Sequence, residues 1–184
     1  MLNFAAIFLH QFEEYGRPGG FPAVWNMGLQ ASAKPDRYPL NSNSAMIVNL
    51  LIPYTFYLIP LFFPNVIWLG LAPILMSISQ FAVHGIMINR KLRAWYNPGM
   101  ATIVLLFIPI GIAYIVYIQM NGLASGWDWL IAIVYMSVFS YLSLWWMTMT
   151  WLADKNSPYP FDEVEMRRFN VPEKIARAKA MESR

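Results

Sequence analysis

The chain has 184 residues, of which 58% are hydrophobic and 12% charged, and its formal net charge is +3. Soluble domains carry about 25% charged residues, so this composition indicates a multi-pass membrane protein. The absence of cysteine excludes disulfides, thiolate metal sites and cysteine nucleophiles. We interpret the excess positive charge as a topology signal that contacts lipid headgroups, and we expect no nucleic-acid partner.

The first predicted element is a short apolar helix over residues 1–15, which would be about 22 Å long. It has no basic leading region and no small-residue cleavage site, so we do not interpret it as a signal peptide. Its polar residues fall on one stripe, which favours packing into the bundle over a partial span: Asn3, His10, Glu13, Glu14 and Arg17. The following loop, residues 16–43, is expected to be either a lid or a mobile linker.

Four long apolar segments follow, each near the roughly 20 residues that cross a bilayer. They are predicted to be helices over residues 44–63, 66–88, 99–120 and 127–152. The predicted fold class is therefore all-α: an integral membrane helical bundle with four spanning helices plus a short N-terminal helix. Residues 1–152 would form the bundle and residues 153–184 a basic tail, with a short helix over Val171–Arg184.

The basic residues predict the orientation of these helices. All 13 lysines and arginines lie in segments that four spans place on one side of the membrane, whereas the turns at 64–65 and 121–126 have none. The positive-inside rule identifies the basic side as cytoplasmic. We therefore expect a multi-pass protein of a bacterial inner membrane, with its basic loops and C-terminal tail in the cytoplasm.

This topology brings separate polar residues to one depth. His84 would lie about one turn from the cytoplasmic end of the second span, and the N-terminal helix would end at the same level. Ionisable residues inside a membrane suggest a functional site by default, because removing charge from water is expensive. The catalytic candidates are His10, Glu13, Glu14 and His84; the candidates for binding or orienting a substrate are Asn3, Asn49 and Gln80.

Two chemistries fit these residues. In the first, His10, His84 and either Glu13 or Glu14 bind a divalent metal such as Zn or Fe and leave positions open. In the second there is no metal, and a glutamate of raised pKa and a histidine move protons. Structural interpretations also exist: one glutamate could pair with Arg17, and the amides could join helices.

Three sequence features then resemble the HXXEE-motif family of bacterial integral membrane proteins, over roughly residues 1–150. They are the stretch HQFEE from His10 to Glu14, Gln80-x-x-x-His84, and Tyr96-Asn97-Pro98-Gly99. The resemblance implies a membrane enzyme of undefined reaction, with an active site formed by the motif and by further His and Asn residues. That family has an asparagine one turn before the second histidine, where this chain has the longer amide Gln80.

We therefore expect an enzyme of the hydrolase, hydratase, isomerase or cyclase type. Its partners would be membrane lipid and a lipid-soluble small molecule such as an isoprenoid, polyketide or acyl lipid. Membership in a larger membrane complex is compatible with the sequence. The alternative is a non-enzymatic small membrane subunit or assembly factor. Its polar cluster would be structural or would bind a pigment or quinone.

Overall fold

The computed structural model describes residues 1–182, and the regular secondary structure in that part of the chain is entirely helical. Helix α1 covers Leu2–Gln11 and continues through a wider, π-type turn over Phe12–Gly16. It packs against the first three spanning helices, as expected for a helix within the bundle. Its outer face stays exposed and is apolar, including Leu2, Phe8, Leu9 and Phe12.

The predicted loop over residues 16–43 is partly helical. Helix α2 consists of Phe21–Ala23 followed by a π-type turn over Val24–Leu29. Ala23 and Val24 are buried in a small apolar cluster, together with the end of the second span. The many Gly, Pro and Asn residues of segment 16–43 indicated a loop, so the sequence did not predict this short apolar helix. The segment is a packed cover of the bundle end, which resembles the lid more than the linker.

Four helices are long and apolar enough to cross a membrane: α3 (Ser42–Phe62), α4 (Ile67–Leu92), α5 (Met100–Met120) and α6 (Gly126–Trp151). The number of spans agrees with the prediction, and each bound lies within four residues of the predicted one. α3 begins with a capping box between Asn41 and Ser44, which satisfies free backbone N–H groups at its start. α5 and α6 are the least buried, at 22% and 17%, so they present the most apolar surface to lipid.

The core between the spans is apolar and aromatic. Phe56 of α3 stacks on Phe139 of α6 with ring centroids 4.3 Å apart, and α4 packs along α6 over its first half. Such pairs gain about 0.5–1.5 kcal/mol beyond their burial. This packing stabilises the part of the bundle that lies away from the polar residues of α1 and the end of α4.

The residues predicted as a basic tail fold back on the bundle. Helix α7 (Glu163–Arg167) and helix α8 (Val171–Glu182) are separated by a break at which Phe169 has a positive φ. Met166, Val171 and Ile175 are buried against α2 and the end of α4. The predicted end of the C-terminal helix at Arg184 lies outside the described residues.

Candidate active site

Three buried side chains converge where α1 meets α4. The Nε2 atom of His10 lies 3.5 Å from Oε1 of Glu14, and the Nε2 atom of His84 lies 3.4 Å from the same oxygen. The two imidazole rings are 5.2 Å apart between centroids. The predicted meeting of the two histidines in one pocket is therefore observed.

Local helix geometry explains two of these positions. His10 and Glu14 are four residues apart, a spacing that places side chains on one helix face. Glu14 lies in the π-type turn that ends α1, and His84 lies in a second one over Ala82–Ile88. The other three spanning helices also contain π-type turns, over Ile52–Tyr57, Ile103–Phe107 and Tyr141–Trp151, so these turns do not by themselves mark the site.

A hydrogen-bond chain behind His84 determines which ring nitrogen carries the hydrogen. The amide nitrogen of Asn97 donates to the backbone oxygen of His84 and to Oδ1 of Asn89, each at 2.7 Å. The Asn97 Oδ1 atom must therefore be an acceptor, and it lies 2.8 Å from Nδ1 of His84. Neutral His84 thus has its hydrogen on Nδ1 and a free lone pair on Nε2.

His10 is held in the same way from the other side. Its Nδ1 atom lies 3.1 Å from the backbone oxygen of Gly99 and 2.9 Å from Oγ1 of Thr102. A carbonyl oxygen only accepts, so Nδ1 carries the hydrogen and the Nε2 lone pair points to Glu14. Burial lowers the pKa of His10, although the Glu14 charge opposes this shift. A neutral ring is consistent with that balance.

Gly99 is a further residue of the site. It has φ +100°, and a Cβ atom there would come within 2.5 Å of Cε1 of His84 and 2.8 Å of Cε1 of His10. Only glycine fits between the two rings. Neither Gly99 nor Asn97 was among the candidate site residues. The Asn-Pro-Gly sequence at the start of a span was the available signal.

Glu13 has a different environment from Glu14. Its Oε1 accepts from the hydroxyl of Tyr96 at 2.8 Å and from the N–H of Ala101 at 2.9 Å. Its Oε2 accepts from the N–H and hydroxyl of Thr102 at 2.8 and 2.7 Å. Burial raises the pKa of Glu13, but these hydrogen bonds outweigh it and the net shift is downward. Burial and Glu13 together raise the pKa of Tyr96.

Glu13 therefore caps the start of α5 and lies outside the converging group. Free N–H groups at a helix start bind carboxylates well, which explains why this glutamate, counted above among the candidate ligands, faces the backbone instead. Among the ion pairs of residues 1–182, neither glutamate pairs with Arg17.

A cavity of about 290 Å³ adjoins the three converging atoms. Asn49 and Gln80, the predicted orienting residues, both line it. The ring of Phe21 stacks on His84 at 5.6 Å and covers this imidazole. The remaining wall is mainly apolar and includes Ile7, Val48, Ile52, Met76, Val83 and Leu144.

Asn3 is not brought to this cluster. It lies seven residues before His10, about 10 Å along the helix axis, and its Oδ1 accepts from the hydroxyl of Ser77 at 3.1 Å. It lines a separate cavity of about 500 Å³ near the turn between α3 and α4. The polar residues of α1 therefore line two separate regions of the bundle, Asn3 the cavity near the turn between α3 and α4, and His10 and Glu14 the cluster with His84.

The converging atoms fit the requirements of a metal ion. Zinc binds imidazole nitrogen and carboxylate oxygen at about 2.0–2.2 Å, so ligands at tetrahedral angles lie about 3.4 Å apart. The two observed N–O separations, 3.4 and 3.5 Å, agree with this value, and each of the three residues offers a ligand atom within 4.8 Å of the other two. The group of His10, Glu14 and His84 could therefore hold a metal.

Fold and site together define a multi-pass helical membrane protein with a buried group of two histidines and one carboxylate. The chain belongs to the family described as proteins of unknown function with an HXXEE motif, whose model matches residues 1–114. That match includes every residue of the cluster but is shorter than the stretch to about residue 150 suggested by the resemblance. Comparison with curated proteins and with solved structures gives no match.

Proposed function

We propose that the protein is a membrane-embedded, metal-dependent enzyme that acts on a lipid-soluble substrate. The observation that carries this proposal is the convergence of the Nε2 atoms of His10 and His84 on Oε1 of Glu14. Since both histidines use Nδ1 as a donor, these three atoms are all acceptors when the rings are neutral and the carboxyl is ionised. They need a shared cation, and a divalent metal satisfies all three at once.

The separations favour a metal over a shared proton. A charge-assisted N–H···O hydrogen bond is typically about 2.7–2.9 Å long, whereas the two N–O separations here are 3.4 and 3.5 Å. A single proton would also serve only one histidine and leave the other lone pair unpaired. Of the two chemistries compatible with the sequence, the metal-assisted one therefore has the stronger support.

The surroundings favour hydrolysis or hydration of an amphiphile. A bound divalent ion such as Zn or Fe would supply Lewis acidity and an activated water. The amides of Asn49 and Gln80 would orient the polar end of the substrate, and Phe21 would keep bulk water from His84. The apolar wall suits an isoprenoid, polyketide or acyl chain, and a 290 Å³ cavity holds the part that reacts.

The proposal includes an orientation. Arg90 and Lys91 lie in the last turn of α4 and Arg93 directly follows it, and helices α7 and α8, which carry further basic residues, pack against the same end. Under the positive-inside rule this end faces the cytoplasm of a bacterial inner membrane. The substrate would then react at the level of the cytoplasmic headgroups.

Metal analysis tests this proposal. Protein purified in lipid nanodiscs should contain about one Zn or Fe per chain, and Glu14→Gln and His84→Ala should lose it because each removes one of three ligands. Gln80→Ala is the matched control, since it lines the same cavity without being a ligand. Turnover of acyl and isoprenoid esters should disappear with the metal. Equal metal content in all four proteins would refute the proposal.

One observation favours the non-enzymatic alternative. The Asn97 side chain joins His84 to Asn89 and so ties α4 to the segment before α5, as a structural cluster would. Under this alternative, Glu14→Gln should impair assembly of the bundle. Under the enzyme proposal it should leave the helical content and monodispersity unchanged while turnover is lost.

A further inference from the structure

We propose that Arg168 is a positioning residue of this site, although it lies far beyond residues 1–114, which match the family. The inference rests on the proposed function, because it concerns how the same three ligands are held. It assigns the C-terminal segment a role in forming the site.

Arg168 binds the end of α1. Its Nη1 donates to the backbone oxygens of Tyr15 at 2.9 Å and Gly16 at 2.7 Å. The last carbonyls of a helix lack partners within it, and a cation there also interacts favourably with the helix dipole. Glu14 directly precedes Tyr15, so the guanidinium holds the turn that carries the carboxylate.

The same residue contacts the approach to α2. Gly20 donates to Oε1 of Glu165 at 3.4 Å, and Oε2 of Glu165 lies 3.3 Å from Nε of Arg168. Gly20 has φ +93°, and a Cβ there would lie 2.7 Å from the backbone oxygen of Arg168. Phe21 comes next and stacks on His84. The position of this cover thus depends on the Arg168 backbone and on its ion pair.

A third contact comes from the neighbouring residue. The Phe169 ring packs edge-on against Tyr96 at 5.6 Å, and Tyr96 donates to Glu13. Arg168 and Phe169 therefore contact the segments that carry Glu14, the cover of His84 and the partner of Glu13. Because burial of Met166 and Val171 anchors both sides of this pair, Arg168 is held in place and can hold the other segments.

Reactivity of the histidines gives a test that needs no metal. In metal-free protein in nanodiscs, modification by diethyl pyrocarbonate can be followed at each histidine by mass spectrometry. His84 is 1% exposed and should react slowly. Arg168→Ala should accelerate its modification by roughly tenfold, because a hydrogen-bonded charge that restrains local opening is lost. His10 stays bonded to Gly99 and Thr102 and should change less.

Arg167→Ala is the matched control. Arg167 is the adjacent arginine, its side chain is 72% exposed, and its ion pair is with Glu163 on its own helix. The substitution Arg167→Ala removes the same charge but breaks no contact with α1 or α2, so His84 should react as in the wild type. Zinc affinity should fall about tenfold in Arg168→Ala and stay unchanged in Arg167→Ala.

The inference is overturned if Arg168→Ala and Arg167→Ala give the same His84 reactivity. An equal acceleration at both histidines also overturns it, because that indicates general unfolding. If Arg168→Ala does not fold, Arg168→Met decides, since it keeps the apolar part of the side chain and loses both hydrogen bonds to the end of α1; wild-type reactivity of His84 in that variant would refute the inference. Absence of both zinc and iron binding in the wild type would refute the proposed function alone.

Discussion

At the scale of single residues, the two adjacent glutamates of the motif have separate tasks. Consecutive residues point about 100° apart around a helix, so Glu13 faces the start of α5 while Glu14 faces the imidazoles. The sequence predicted that the motif forms a site but treated both carboxylates as equivalent candidate ligands. The difference depends on where Thr102 and His84 lie in the folded bundle, and helix periodicity alone does not contain that information.

Gly99 provides a prediction at this scale. Gly99→Ala should weaken zinc binding by more than tenfold and lower the unfolding temperature, because the new Cβ would displace both imidazole rings. Gly122→Ala is the matched control: Gly122 also has a positive φ, at +62°, but a Cβ there meets nothing within 4 Å. Both variants share the backbone cost of about 1–2 kcal/mol. Zinc titration and thermal unfolding measure the difference, and equal zinc affinities would contradict the prediction.

At the scale of the helices, the site depends on how helix ends are satisfied. The start of α5 is capped by a side chain of α1, and the end of α1 by a side chain from beyond α7. The spans themselves were predictable, because long apolar runs have few other interpretations. Helix α2 was not, because its apolar stretch is short and is buried by residues far along the chain, such as Leu92 and Ile175.

The cap on α5 predicts a pH dependence. Because the pKa of Glu13 is lower in the folded than in the unfolded state, its stabilising contribution is present above the ordinary value of 4.5 and is lost as the pH falls through the folded-state pKa. Glu13→Gln should reduce stability by roughly 1–3 kcal/mol at neutral pH. The difference from the wild type should shrink in acid.

Thermal unfolding between about pH 7 and pH 3 measures this difference. Glu173→Gln, which changes an exposed glutamate of α8, should stay close to the wild type throughout. A gap between Glu13→Gln and the wild type that is constant over this range would show that the Glu13 charge does not stabilise the cap.

At the scale of the whole molecule, polarity divides the bundle into two ends. Its core is apolar and aromatic, whereas the cluster and the basic residues share the end covered by α2, α7 and α8. Composition and charge predicted the bundle and the shared depth of the histidines. They did not predict that the C-terminal helices dock there, because three or four apolar residues in a charged segment are a weak signal before the surface they pack on is known.

The orientation can be measured directly because the chain has no cysteine. Lys91→Cys and Asn121→Cys introduce single thiols at exposed positions on opposite sides of the membrane. A membrane-impermeant maleimide added outside spheroplasts should label the cysteine at 121 and leave the one at 91 unreacted until the cells are lysed. The reverse pattern would place the site at the outer face.

Metal binding should also stabilise the entire bundle. Since the proposed ligands come from α1 and α4, an ion that binds only the folded protein adds about 2.7 kcal/mol at a free concentration 100 times its Kd. Zinc should raise the unfolding temperature of the wild type, and a chelator should reverse this effect. Glu14→Gln should show neither response; a shift of wild-type size in that variant would mean that zinc binds elsewhere.

His10 lies far in the sequence from its hydrogen-bond partners, and this separation affects the order in which the bundle assembles. Its hydrogen bonds reach acceptors 89 and 92 positions further along the chain, so α1 leaves the ribosome well before α5 exists. Until then Nδ1 of His10 and the carboxylate of Glu13 lack their hydrogen-bond partners, and burying them in hydrocarbon without partners is costly. We therefore expect α1 to wait at the membrane surface and to enter the bundle late, which makes closure of the cluster one of the last steps of assembly.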